Sequence, residues 1–322
     1  MILARLNFSP STARFVRRLA GIVVSVAMLA SCGGGTAQIE PFAPTRMITF
    51  GDEWSVITSD GRKYAVNGFL VDNVTRDCNS LPIWTQVVAA FYGFGFPECP
   101  VGTGAQQGLN RAAAGARATD LAGQVDVQVA AGGFTEKDLV TVLAGTNDIL
   151  DLYAQFPAQN EAALIATARE RGELIAQQVN RIVSLGGKVV VSTMPDVGVT
   201  PFAAAQKAAF TDTDRAAMLA RLSAALNGRI RVNILNDGRF VGLVLADEMT
   251  QTAVRAPSVY GLANASTAAC KADAPLPDCN ALTLIAGAAP DSWLYADDRR
   301  FASGGHRGLG QLAAARARSN PF

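Results

Sequence analysis

Histidine is nearly missing from this chain: His306 is the only one among 322 residues. A site built from two or more imidazoles is therefore excluded. No CxxC pair occurs either, so the alternative of a zinc site has neither the usual cysteine spacing nor an accompanying histidine. Charge is sparse at 17% of residues, and 28 basic side chains nearly cancel 27 acidic ones. Setting aside the four arginines of residues 1 to 31, which contain no acid, leaves 24 basic against 27 acidic groups, a net charge near −3. There is no basic footprint for nucleic acid, and no nucleic-acid partner is expected. Long apolar runs are missing too. Leu19 to Ala30 spans a dozen residues, short of the roughly 20 that a permanent membrane helix needs.

What is present begins with an address. Arg5, Arg14, Arg17 and Arg18 precede that apolar run, and Leu29-Ala30-Ser31-Cys32 follows it, the pattern of an export signal over residues 1 to 31. The small residues before Cys32 resemble the bacterial lipoprotein box. The resemblance implies that Cys32 carries lipid as the first residue of the mature chain, and that the membrane is a partner through it. Gly33 stands where an aspartate would signal retention in the inner membrane, so the outer membrane is the expected destination in a cell that has one. An ordinary signal peptide with an incidental cysteine is the alternative. Residues 32 to 44 form the lipidated cysteine and a tether, glycines first and then prolines, flexible and then stiffer. Residues 45 to 322 are taken as one folded domain, with no second linker and no internal repeat. Four further cysteines, Cys78, Cys99, Cys270 and Cys279, are an even number in an exported chain, which favours disulfides. Of the three connectivities, Cys78–Cys99 with Cys270–Cys279 closes the shortest loops.

Within the body, strand and helix signals alternate. Strands are expected at Met47 to Phe50, Leu139 to Leu143, Lys188 to Ser192 and Phe240 to Leu245. Helices are expected from about Pro82 with Ile83, Val87, Val88 and Phe91 on one face, over Ala118 to Ala131 with Leu121, Val125 and Val129 inward, and over Glu161 to Leu185, Asp214 to Asn227 and the tail from Ser303. Near-continuous β-branched strands between amphipathic helices indicate a three-layer α/β/α sandwich around a mainly parallel sheet.

The turns after these strands carry the chemistry. Phe50-Gly51-Asp52, Gly115-Ala116-Arg117, Ala144-Gly145-Thr146-Asn147-Asp148 and Ala296-Asp297-Asp298, with Gly305-His306, occur in that order. Together they resemble the ordered blocks of the GDSL or SGNH ester hydrolases, over roughly residues 46 to 320, and imply that family's flavodoxin-like version of the sandwich. In that family the residue after Gly-Asp is a serine that attacks the ester. The resemblance makes the Gly115 N–H, the Asn147 amide and the N–H of residue 53 the oxyanion donors, and the last block an Asp-x-x-His pair that supplies the base and the carboxylate that orients it.

Two positions depart from the pattern. Glu53 stands where the nucleophile should be, and Arg300 stands where the histidine should follow Asp297. A glutamate facing an arginine invites a bidentate ion pair, with Asp297 bracing the guanidinium and the Glu53 carboxylate turned into the oxyanion donors. His306 reads as a structural helix residue. Asn147 on its own is also a common turn former. The leading expectation is a noncatalytic, lipid-anchored envelope relative of the ester hydrolases, holding a small ester or acyl ligand in the remnant site without metal or cofactor. One alternative is an active carboxylic ester hydrolase, with Ser55 as nucleophile or Glu53 as base for water. Another is a structural envelope component that uses inserted loops around Asn67 to Asn110 and Gly261 to Asn280 as contact surfaces, with no partner identifiable from the sequence.

Overall fold

A β-branched stretch buried on both faces needs neighbours in the sheet and helices above and below it. In the computed structural model, which describes residues 41–319, five segments meet that need: β1 (Arg46–Gly51), β2 (Gly108–Asn110), β3 (Asp138–Leu143), β4 (Lys188–Ser192) and β5 (Val241–Val244). They lie in the order β2-β1-β3-β4-β5 with every neighbouring pair parallel, the flavodoxin-like order. The helices are α1 (Trp84–Phe91), α2 (Leu121–Ala130), α3 (Thr146–Ala154), α4 (Glu161–Ser184), α5 (Pro201–Ala209), α6 (Arg215–Asn233), α7 (Ala246–Arg255) and α8 (Ser303–Ser319).

Because successive side chains of a strand point to opposite faces, each strand serves two cores. Met47, Leu139, Leu143 and Val190 join Trp84 and Val88 of α1 and Leu309 and Ala313 of α8. Ile48, Phe50, Val140, Val142, Val189 and Val191 pack on the other side with residues of α2, α4 and α6. The expected three layers are the layers found. Both local disulfides are formed, Cys78–Cys99 and Cys270–Cys279.

Two helix faces differ from the expected ones. α2 starts at Leu121 rather than Ala118, and Val129, expected inside, is 40% exposed. Its buried face includes Gln124 and Gln128 instead, because each amide bonds main-chain groups, Gln124 at the end of β1 and Gln128 in the turn that follows α2. Gln124 Oε1 accepts from the Gly51 N–H at 2.9 Å and its Nε2 donates to the Gly51 carbonyl at 2.8 Å. Gln128 Nε2 donates to the Gly133 carbonyl. In α1, Phe91 is likewise turned outward, and the inward side is Trp84, Val88 and Ala89.

The stretch from Asn67 to Asn110, expected as an inserted loop around the helix from Pro82, holds that helix as α1 and ends in an unexpected strand, β2, at the sheet edge beside β1. Phe42, in the stretch expected as tether, packs against the first core cluster. The export signal and Cys32 lie outside the described residues. Among the described residues no helix is long and apolar enough to cross a membrane.

Candidate active site

The chain runs from β1 to β2 on one side and returns to β3 on the other, so the strand order reverses at β1. The carboxyl ends of β1 and β3 therefore border the crevice where open α/β sheets hold their ligands. Gly51 closes β1 at φ 134°, and a Cβ there would come within 1.8 Å of the Leu143 carbonyl oxygen. Only glycine fits so close to β3, with Gln124 holding both of its main-chain groups. The next N–H, that of Asp52, donates to the same Leu143 carbonyl at 3.2 Å, and the chain turns to present Glu53.

Glu53 is buried, and its Oε2 accepts two hydrogen bonds: from the Gly115 N–H at 3.0 Å and from Asn147 Nδ2 at 2.8 Å. Such lengths are those expected between oxyanion-hole donors and a developing negative charge, about 2.7–3.1 Å. The second hydrogen of the Asn147 amide group goes to the Ala116 carbonyl at 3.0 Å. Asn147 lies in the first turn of α3, whose N-cap Gly145 also has positive φ, 123°. Asp148, next along, accepts from the Ala118 N–H at 2.9 Å and so ties the Gly115 loop to α3.

Arg300 approaches the other carboxylate oxygen. Its Nη1 is 3.9 Å from Glu53 Oε1, an ion pair without a hydrogen bond. The expected bidentate pair is not formed, because Glu53 Oε2 is committed to the two donors and Arg300 Nε donates to Asp297 Oδ2 at 2.8 Å. Asp297 Oδ1 accepts from the backbone N–H groups of Arg299 and Arg300. The structure thus brings Glu53, Gly115, Asn147, Asp297 and Arg300 to one place, with Arg300 bound more closely to Asp297 than to Glu53.

The two other candidate groups are elsewhere engaged. Ser55 is fully buried and its Oγ accepts from Trp84 Nε1 at 3.1 Å. His306 is buried beside Trp54 and Phe301, and its Nδ1 accepts from the Trp84 backbone N–H at 3.3 Å. Burial, helped by the charge on Lys63, pushes the His306 imidazole down to about 3, so it stays neutral near physiological pH. Burial and then the neighbouring Glu53 charge raise the Asp52 carboxyl well above the ordinary range. Among the described residues no group of three His, Cys, Asp or Glu side chains could hold a metal ion. A cavity of about 630 Å³ between α1, α8 and residues 94–102 is lined by none of these site residues.

Sequence reasoning missed Gln124 and the positioning role of Asp148. A glutamine at a helix position that faces a strand-ending glycine is a usable signal, but it is weak against the apolar periodicity beside it. Lys63 was missed as well. It is fully buried, and its Nζ donates to the carbonyls of Cys78, Ser80 and Leu81, contacts that no sequence spacing announces.

Burial raises the Asp148 carboxyl to about 6, against the opposing pull of the Ala118 N–H and Arg171. The folded state thus holds this proton more tightly than the unfolded chain. The stability this contributes is complete below about pH 4 and is lost as pH rises to about 6. Asp148→Asn keeps an acceptor for the Ala118 N–H and removes the buried charge. Between pH 4 and pH 8, the difference in unfolding free energy should move in the variant's favour by about 2–3 kcal/mol. Urea unfolding at the two pH values checks this, and a pH-independent difference contradicts it.

Two solved structures are similar to this chain at low identity. One is Axe2, an acetylxylan esterase from Geobacillus stearothermophilus, with 14% identity, TM-score 0.40, and coverage of 87% of this chain and 96% of that one. The other is a member of the lipolytic protein G-D-S-L family from Veillonella parvula DSM 2008, with 12% identity, TM-score 0.39, and coverage of 84% and 95%. No curated protein matches the chain. The family described as GDSL-like Lipase/Acylhydrolase matches residues 48–306. That span runs from within β1 to the buried histidine of α8, and the chain belongs to this family.

Proposed function

We propose that this chain is a lipid-anchored envelope protein that has kept the fold of the ester hydrolases and lost their turnover, holding a small ester- or acyl-type ligand beside the remnant site. The observation that carries the reading is the Glu53 carboxylate on the Gly115 and Asn147 donors. Acyl transfer has to create a negative oxygen at such donors, and here a fixed negative oxygen already fills them. The remaining requirements are unmet. Arg300 cannot accept a proton near neutral pH, and both Asp297 oxygens already accept from Arg299 and Arg300. Ser55 has no base within reach, since the imidazole of His306 bonds Trp84 instead. Lipid anchoring is supported by the Leu29-Ala30-Ser31-Cys32 run alone, and sorting to an outer membrane by Gly33 after it.

Purified protein assayed on p-nitrophenyl acetate and acetylated sugar esters should show no turnover above that of Glu53→Ala. Robust turnover abolished by Glu53→Ala would contradict the proposal. The double substitution Glu53→Ser with Arg300→His should recover ester hydrolysis by about a hundredfold over either single substitution, the scale of a restored general base. For the anchor, Cys32→Ser should move the protein from the membrane fraction to the soluble one. Unchanged membrane association would remove the lipid from the account.

A further inference from the structure

Arg300 leaves most of its hydrogen-bonding capacity unused. A guanidinium has five N–H donors. Nε serves Asp297, Nη1 is too far from Glu53 to bond it, and among the described residues neither terminal amino group donates a hydrogen bond. The Tyr64 ring lies 5.8 Å away. The side chain is only 18% exposed, so these donors belong to a cation largely removed from water, a state that favours an anionic partner.

Arg300 also lines a cavity of about 380 Å³, within the range of about 300–1,000 Å³ typical of small-molecule sites. Part of its wall is the loop closed by the Cys270–Cys279 disulfide. That wall supplies apolar surface from Ala274, Pro275 and Leu276, and one cation, Lys271. The other charges at the cavity are matched: Asp297 with Arg300 at 2.8 Å, and Asp298 with Arg299 at 2.9 Å. Arg299 is further engaged over the Phe202 ring. Lys271 forms no ion pair among the described residues, so the residues lining the cavity carry one positive charge beyond their own acids, and Glu53, which is not among them, offsets it at 3.9 Å from Arg300.

From this placement we infer that the cavity is a receptor for a small organic carboxylate with a short aliphatic body. The carboxylate takes the free Arg300 donors in the field of Lys271, and the aliphatic part rests on Ala274, Pro275 and Leu276. Glu53 is then a competitor as well as a plug, since the ligand and Glu53 share one guanidinium. The inference rests on the reading of the remnant site as a binding site without turnover, and it names the ligand class.

Calorimetric titration of the purified full-length protein with sodium butyrate tests it, with butyramide and inorganic phosphate as comparison probes. Butyrate should bind, and butyramide, with the same body and no charge, should bind about tenfold or more weakly. Phosphate, which has no apolar body, should also bind more weakly than butyrate. Arg300→Gln should weaken butyrate binding about tenfold or more, exposed Lys271→Gln by about threefold, and Glu53→Gln should tighten it. Equal binding of butyrate and butyramide, phosphate binding as tightly as butyrate, no butyrate binding, or no effect of Lys271→Gln and a folded Arg300→Gln would overturn the assignment. If Arg300→Gln does not fold, Lys271→Gln and the butyramide comparison decide. Hydrolysis of p-nitrophenyl butyrate is followed in the same samples. Turnover there would sink the noncatalytic reading alone, whereas absent binding without turnover would sink this inference alone.

Discussion

The Glu53 carboxylate, one oxygen held by the Gly115 N–H and the Asn147 amide, is the contact on which the surrounding loops converge. Three chain segments far apart in sequence meet at that oxygen, and each is fixed from behind by a different device. The Glu53 turn is set by Gly51, pressed against β3 and clamped by Gln124. The Gly115 loop is tied to α3 through Asp148. Asn147 is fixed by the start of α3 and by the Ala116 carbonyl. Preorganised donors stabilise a charge at little cost in reorganisation, and these donors are occupied by the protein's own charge.

The second carboxylate oxygen explains why the Glu53–Arg300 pair is loose. A bidentate pair would draw both Glu53 oxygens toward the guanidinium and away from the donors, and would turn Arg300 away from Asp297. The fold instead keeps two sets of charge-assisted hydrogen bonds and accepts a separation of 3.9 Å between the charges. Both side chains are mostly out of water, where a charge without hydrogen bonds is costly, so the arrangement that bonds each of them wins over the one that brings them closest. Its by-product is a guanidinium with free donors at the edge of a cavity.

The fold was legible because its cause is periodic. Runs such as Lys188-Val-Val-Val-Ser192 need burial on both faces, and the two separate cores that receive Val190 on one side and Val189 and Val191 on the other follow from a repeat of two. The site positions were legible as ordered turns, because glycine at 51, 115 and 145 permits backbone that other residues avoid. What stayed hidden was set by contacts distant in sequence. β2 has three residues and no apolar run, and it is a strand because β1 offers an open edge. α3 begins inside the Gly-Thr-Asn-Asp turn and continues through Ile149, Leu152 and Tyr153, so the turn signal masked a helix start. Gln124 faces inward against its polarity because its amide bonds the Gly51 N–H and shares the Gly51 carbonyl with the Ala113 N–H. The length of the Glu53–Arg300 gap depends on competition with three hydrogen bonds, and residue identities alone do not decide such a contest.

Amide hydrogen exchange at Gly115 tests the central claim most directly, since the Gly115 N–H is bonded to Glu53 and to nothing that a substitution at 53 leaves behind. If the carboxylate fills the donors, Glu53→Ala should speed exchange at Gly115 by about tenfold or more, the scale of one lost charge-assisted hydrogen bond, while the Ala118 amide, held by Asp148, keeps its rate. A Gly115 amide that exchanges equally fast with and without the glutamate would contradict the account.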